Sequence, residues 1–141
     1  MNNKDELIAI AAKLQLKLLE LGFVVHRLDA YTTNSIYLKL DYGVANSIRI
    51  SDHKGKSNLN YKFNVIIGGK KKVIRQNKNV MHFFETTQID DLLKLIIHNR
   101  YKKVEKLGIE QYNYQMKLEC ALIPSKRGFW TKAKQVIIPV A

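Results

Sequence analysis

The sequence predicts an α+β domain, an antiparallel β-sheet meander flanked by an N-terminal helix and a long helix after the sheet. Three observations carry this. Apolar residues recur at helical spacing near the start of the chain. They switch to strict alternation through the middle. They return to helical spacing from Ile89 onward.

The elements follow in order. Asn3 to Leu21 reads as an amphipathic helix, with Asn3 as cap and Glu6 at capping-box spacing. Leu7, Ile10, Ala11, Leu14, Leu18 and Leu21 form one apolar stripe, and Gly22 supplies the left-handed residue that stops it. Phe23 to Leu28 reads as a strand. Ser35 to Leu40 alternates Ile36, Leu38 and Leu40 with Tyr37 and Lys39. Val44 to Ser51 repeats that pattern, with Arg49 opposite Ile48 and Ile50. Asn58 to Ile67 alternates Tyr61, Phe63 and Val65 with Lys62 and Asn64. Lys71 to Arg75 and Val80 to Glu85 read as two further strands. Short polar or Gly-containing turns separate these runs, which suits a meander with one wet face. Thr87 is the expected cap of the second helix. Ile89, Leu92, Leu93, Ile96, Ile97, Val104 and Leu107 line its buried face, and Gly108 closes it. Tyr112 to Ile123 is ambiguous, and Gly128 to Pro139 reads as a last strand or an ordered tail.

The chain has 141 residues, which fits one domain, 1–141, divided as 1–22 helix, 23–85 sheet, 87–108 helix and 109–141 mixed. A hydrophobic fraction of 46% can build a core without disulfides. Cys120 is the single cysteine, so the default is a reducing compartment, and its apolar surroundings cast it as a small core residue. No charged-then-apolar leader starts the chain and no apolar run approaches about 18 residues, so neither membrane insertion nor secretion is expected.

Charge is the strongest functional signal. Lys and Arg number 24 against 12 Asp and Glu, a formal net charge of +12. A field of that sign gathers phosphates, nucleic acid or acidic partners. Catalytic signatures are missing: there is no phosphate-loop glycine pattern, no nucleophile elbow and no paired Cys-x-x-Cys. His26, His53, His82 and His98 lack a helical partner at metal-ligand spacing, so neither a metal nor a cofactor is expected. Asp52-His53 reads as a turn rather than an acid/base pair. The expectation is a binding protein, not an enzyme.

Basic residues group at Lys70–Lys72 with Arg75 and Lys78, at Lys54 and Lys56, at Lys102, Lys103 and Lys106, and near the C-terminus at Lys126, Arg127, Lys132 and Lys134. Arginine is scarcer, and its planar fork suits phosphate and ring stacking. Arg49 points away from the Ile48/Ile50 face. Arg100 and Tyr101 end the exposed side of the second helix. Arg127 precedes Gly128-Phe129-Trp130, whose rings suit a stacked base.

Three stretches in order carry a resemblance: Ser35-Ile36-Tyr37 with Ile48-Arg49-Ile50-Ser51-Asp52-His53, then the helix Ile89 to Leu107, then Arg127-Gly128-Phe129-Trp130-Thr131-Lys132. This order resembles small phage-encoded anti-defence proteins. One candidate is the Thoeris anti-defence family, whose members sequester cyclic nucleotide immune signals as oligomers. The other is the type II-A anti-CRISPR inhibitors. The first resemblance implies a ligand site of Arg49 and Arg127 on phosphates, Tyr101 stacking a base and Asn113 reading an adenine edge, with Gln111 equally able in that last role. It implies a homo-oligomer in the host-cell cytoplasm that binds a cyclic nucleotide or cyclic ADP-ribose-type signal without turning it over. The second implies a basic surface against nucleic acid or a nuclease.

Overall fold

The computed structural model of the chain describes residues 3–52 and 61–137. Helix α1 spans Asn3–Glu20. Strands β1 (Val25–Asp29), β2 (Ile36–Leu40) and β3 (Ser47–Ser51) follow, with a 3-10 turn at Asp41–Gly43. Then come β4 (Phe63–Ile66), β5 (Lys72–Gln76), β6 (Asn79–Phe84), α2 (Ile89–Leu107), α3 (Ile109–Leu122), a 3-10 turn at Ile123–Ser125, α4 (Phe129–Lys132) and β7 (Lys134–Val136).

The α+β class holds, but only part of the sheet is a meander. The strands form one sheet in the order β5-β6-β4-β3-β2-β1-β7. β1, β2 and β3 are consecutive antiparallel neighbours. β4 then runs parallel to β3, and β6 parallel to β4. β5 returns antiparallel to β6 as the edge. The turn expected at Ser51–Ser57 is therefore not a hairpin, because a parallel neighbour needs a crossover connection. Most of that connection, including His53, Lys54 and Lys56, lies outside the described residues, as does the end of the tail expected at Val136–Val140.

Alternation sorts the strand residues as the sequence predicts. Val25, Leu38, Leu40, Ile48, Ile50, Phe63 and Val65 face one side and form the core with Leu7, Leu14 and Leu18 of α1 and Leu92, Leu93 and Ile96 of α2. The opposite face carries Tyr37, Lys39, Arg49 and Asn64, aligned across the strands by register. A small second apolar cluster on that face joins Ile66, Met81 and Phe83.

Gly22 ends α1 at φ +85°, with the Phe23 N–H donating to the Leu18 carbonyl at 3.0 Å. Asn3 is the first helical residue rather than its cap, and its amide reaches Asp52 at 3.4 Å. Gln88, not Thr87, precedes α2, and its Oε1 accepts the Glu85 N–H at 3.1 Å. The ambiguous stretch after Gly108 is the helix α3, of which only Tyr112 is buried. Cys120 lies on its exposed side, so it is not a core residue.

Candidate functional site

The four residues implied by the resemblance do not converge. Arg49 sits on the sheet face turned away from α2, only 2% exposed. Tyr101 is 65% exposed on α2, whose apolar stripe packs against the other face. Asn113 is exposed on α3 and Arg127 in the loop before α4. None of the four lines the clefts described below.

The arginines separate by what they meet. Arg27 is bidentate to Asp29 at 2.7 and 3.0 Å and also donates to Gln15 of α1, so it fastens a helix to a strand. Arg100 turns inward, its Nε 2.9 Å from the fully buried Asp41 carboxylate. Its guanidinium plane lies 4.0 Å from the Phe23 ring centroid. Arg49 is different. Its Nε is buried without a hydrogen-bond partner, and no ion pair among the described residues includes it. A buried guanidinium N–H left unsatisfied is costly, and an anion bound there would offset that cost.

Around Arg49 the wet face is aromatic and basic. The Tyr37 and Tyr61 rings lie 5.2 Å apart. Burial raises the Tyr61 phenol above its ordinary pKa, Tyr37 adds to that, and the Arg49 charge opposes it. Tyr61 walls a cleft of about 530 Å³ together with Lys39, Lys62, Lys78, Asn79 and Phe129. A second cleft of about 550 Å³ adjoins it, lined by Tyr42, Lys103, Gln115, Glu119 and Lys126, and Lys39 and Gly43 line both.

Lys39 is the shared group. Its ammonium lies 4.8 Å from the Phe129 ring centroid and 4.6 Å from that of Trp130. The cation beside the tryptophan is thus Lys39, with Lys126 farther off at 6.0 Å, rather than Arg127. Burial lowers the Lys39 pKa, Lys126 lowers it further, and Glu119 pulls it back. Lys126 is itself ion-paired to Glu119. Lys103 donates to the Val44 carbonyl at 2.8 Å, and burial followed by repulsion from Lys62 lowers its pKa. Half-buried ammoniums beside further positive charge, as Lys39 and Lys103 are, gain from a bound anion.

His26 lies behind Lys39, 7% exposed, with Trp130 set edge-on at 4.8 Å and Tyr42 at 5.3 Å. Burial and then Lys39 lower its pKa, which keeps the imidazole neutral beside the ammonium. No group of three or more His, Cys, Asp or Glu side chains gathers at metal-binding distance among the described residues. No described helix is long and apolar enough to cross a membrane.

No protein-family model, curated protein or solved structure matches this chain. The functional reading therefore rests on the cleft itself. The sequence singled out Arg49, Phe129 and Trp130, but it placed Lys39 and Lys62 only as polar steps in alternating strands and set Tyr61 with Phe63 and Val65 on the apolar side. The structure starts β4 at Phe63, and Tyr61, just before it, lines the cleft with Lys62. The one local signal of Lys39 and Lys62 was a position opposite the apolar face, and Tyr61 had none.

Proposed function

We propose that this chain is a non-catalytic binding protein that captures a phosphate-bearing nucleotide on the wet face of its sheet. The observation that carries the reading is Arg49: a guanidinium 2% exposed, in no ion pair among the described residues, on the sheet face of a lysine-rimmed cleft and near enough to its wall residue Tyr61 for its charge to act on that phenol. Lys39, Lys62 and Lys78 supply charge, Tyr61 and Phe129 supply ring faces, and Asn79 supplies an amide for a base edge. Capture requires no base or nucleophile, and the role we assign is sequestration of a cyclic nucleotide or cyclic ADP-ribose-type signal, in keeping with the phage anti-defence resemblance. In this reading Lys39 takes the phosphate role the resemblance gave to Arg127, Tyr61 and Phe129 the stacking role of Tyr101, and Asn79 the base-edge role of Asn113, while Arg49 adds its charge from beside Tyr61.

Calorimetry with 5′-AMP, 3′,5′-cyclic AMP and cyclic ADP-ribose tests this. Saturable binding of at least one, lost in Arg49→Met and in Lys39→Met, is expected. No heat and no thermal shift with any of the three defeats the reading.

A second reading has its own observation. The β5–β6 edge presents Lys70, Lys71, Lys72, Arg75 and Lys78 in exposed positions, with Lys71 and Lys72 lying over Phe84 and Phe83. That edge fits a nucleic acid or the nucleic-acid groove of a nuclease. Binding there neutralises several phosphates and weakens steeply with salt, whereas capture in the cleft has a shallow salt slope.

A further inference from the structure

The two adjoining clefts repeat part of one another's chemistry, the first adding Phe129 and the second the Glu119 carboxylate that pairs with Lys126. Each holds an aromatic ring, an amide side chain and a pair of lysines of its own. In the first these are Tyr61, Asn79, Lys62 and Lys78. In the second they are Tyr42, Gln115, Lys103 and Lys126. Their volumes, about 530 and 550 Å³, are nearly equal, and each is large enough for a small ligand. Only Lys39 and Gly43 belong to both.

The ridge between them is low and positive. Gly43 has φ +95° and no side chain, and a Cβ added there would stand 3.6 Å from Cδ of Lys39. Gly43 adds no side chain, so among the described residues Lys39 is the one side chain that lines both clefts. The Lys39 ammonium is held over Phe129 and Trp130 and repelled by Lys126, so a cation sits where two ring-bearing compartments meet.

Resting on the binding function proposed above, we infer that the ligand is a dinucleotide, with its linking phosphate at Lys39 and one base in each cleft. Two separate mononucleotides would bring two phosphates to one shared ammonium and repel each other there. A covalent link removes that repulsion and makes the second binding event intramolecular, which raises affinity without new contacts. The amide in each cleft offers a donor and an acceptor to a base edge.

The test is titration of the full chain with 5′-AMP and with the 5′-phosphorylated adenylyl dinucleotide pApA. We expect pApA to bind one per chain and about 100-fold or more tighter than 5′-AMP. Gln115→Ala and Asn79→Ala, one in each cleft, are each expected to erase most of that gain while leaving a measurable affinity for 5′-AMP. Equal affinities for the two probes overturn the dinucleotide inference and leave a single-cleft nucleotide site standing. Two 5′-AMP molecules bound per chain as tightly as one pApA also overturn it, because the clefts are then independent. A gain that keeps rising with longer oligoadenylates overturns it in favour of a strand-tracking surface. Binding of neither probe overturns both the inference and the function on which it rests.

Discussion

Tyr112 donates its phenol hydrogen to the Asp41 carboxylate at 2.5 Å, joining α3 to the turn between β2 and β3 across 71 residues of chain. Asp41 is fully buried and also accepts the Val24 N–H at 2.9 Å and the Arg100 guanidinium at 2.9 Å. It stands at φ +50° and Tyr42 at φ +58°, a left-handed pair that this network holds in place. The same turn carries Tyr42 and Gly43 into the second cleft. The buried ion pair therefore sets the geometry of the binding face without lying on it.

Tyr112→Phe removes one hydrogen bond to a buried charge and should lower unfolding free energy by about 1.5–3 kcal/mol. Burial and the bond to Asp41 raise the Tyr112 pKa well above its ordinary value, with Arg100 partly offsetting them. A raised folded-state pKa contributes stability that is full below the unfolded value of about 10 and is lost as pH climbs beyond it. Urea midpoints measured through the alkaline range should therefore fall for the native chain and fall less for Tyr112→Phe. Equal alkaline slopes would contradict the assignment.

Arg49→Met should separate stability from function. Its Nε is buried without a hydrogen-bond partner and no ion pair among the described residues includes it, so an apolar side chain of similar length should raise unfolding free energy by about 1–3 kcal/mol. The same variant should no longer bind nucleotide. Chemical denaturation read beside calorimetry checks both halves, and a destabilised variant would mean that Arg49 has an internal structural role.

His26 and His82 both have pKa values lowered first by burial, His26 then by Lys39 and His82 by Lys62 and Arg75. A lowered histidine pKa contributes stability that is full above the unfolded value of about 6.5 and is lost as pH falls through the folded one. Stability should thus decline as pH falls below about 6.5. His26→Phe keeps the ring packing against Trp130 and should flatten its share of that decline, read as the urea midpoint across the same range.

Gly69 has a packing role on the wet face. A Cβ there would meet Cβ and Cγ2 of Ile66 at 2.8 and 2.9 Å, and Ile66 belongs to the cluster with Met81 and Phe83. Gly69→Ala should cost about 1–3 kcal/mol by overpacking. Thermal unfolding of this variant beside Gly108→Ala, where nothing stands within 4 Å of the added Cβ but φ is +85°, distinguishes crowding from backbone strain.

Much of the fold was legible beforehand. The stripe from Leu7 to Leu18 and the one from Ile89 to Ile96 are buried in one core with Ile48 and Ile50. Arg49 does face away from them. The helix from Ile109 was obscure because it buries one residue and so has almost no apolar period to read. Arg100 was misread as an exposed site because nothing local announces that Asp41, far away in the chain, turns inward to meet it.

From residue order alone came the secondary-structure periods, the face on which each strand residue stands, the positive net charge and the stops at Gly22 and Gly108. Those depend on neighbours a few positions apart, and a local pattern records them. Strand direction beyond β3, the pairing of Arg100 with Asp41, and the gathering of Lys39, Tyr61 and Phe129 around the first cleft were decided only in three dimensions. Alternation specifies which side of a sheet a residue takes, but not whether the adjoining strand runs up or down, nor which remote ring or carboxylate the packed chain brings alongside.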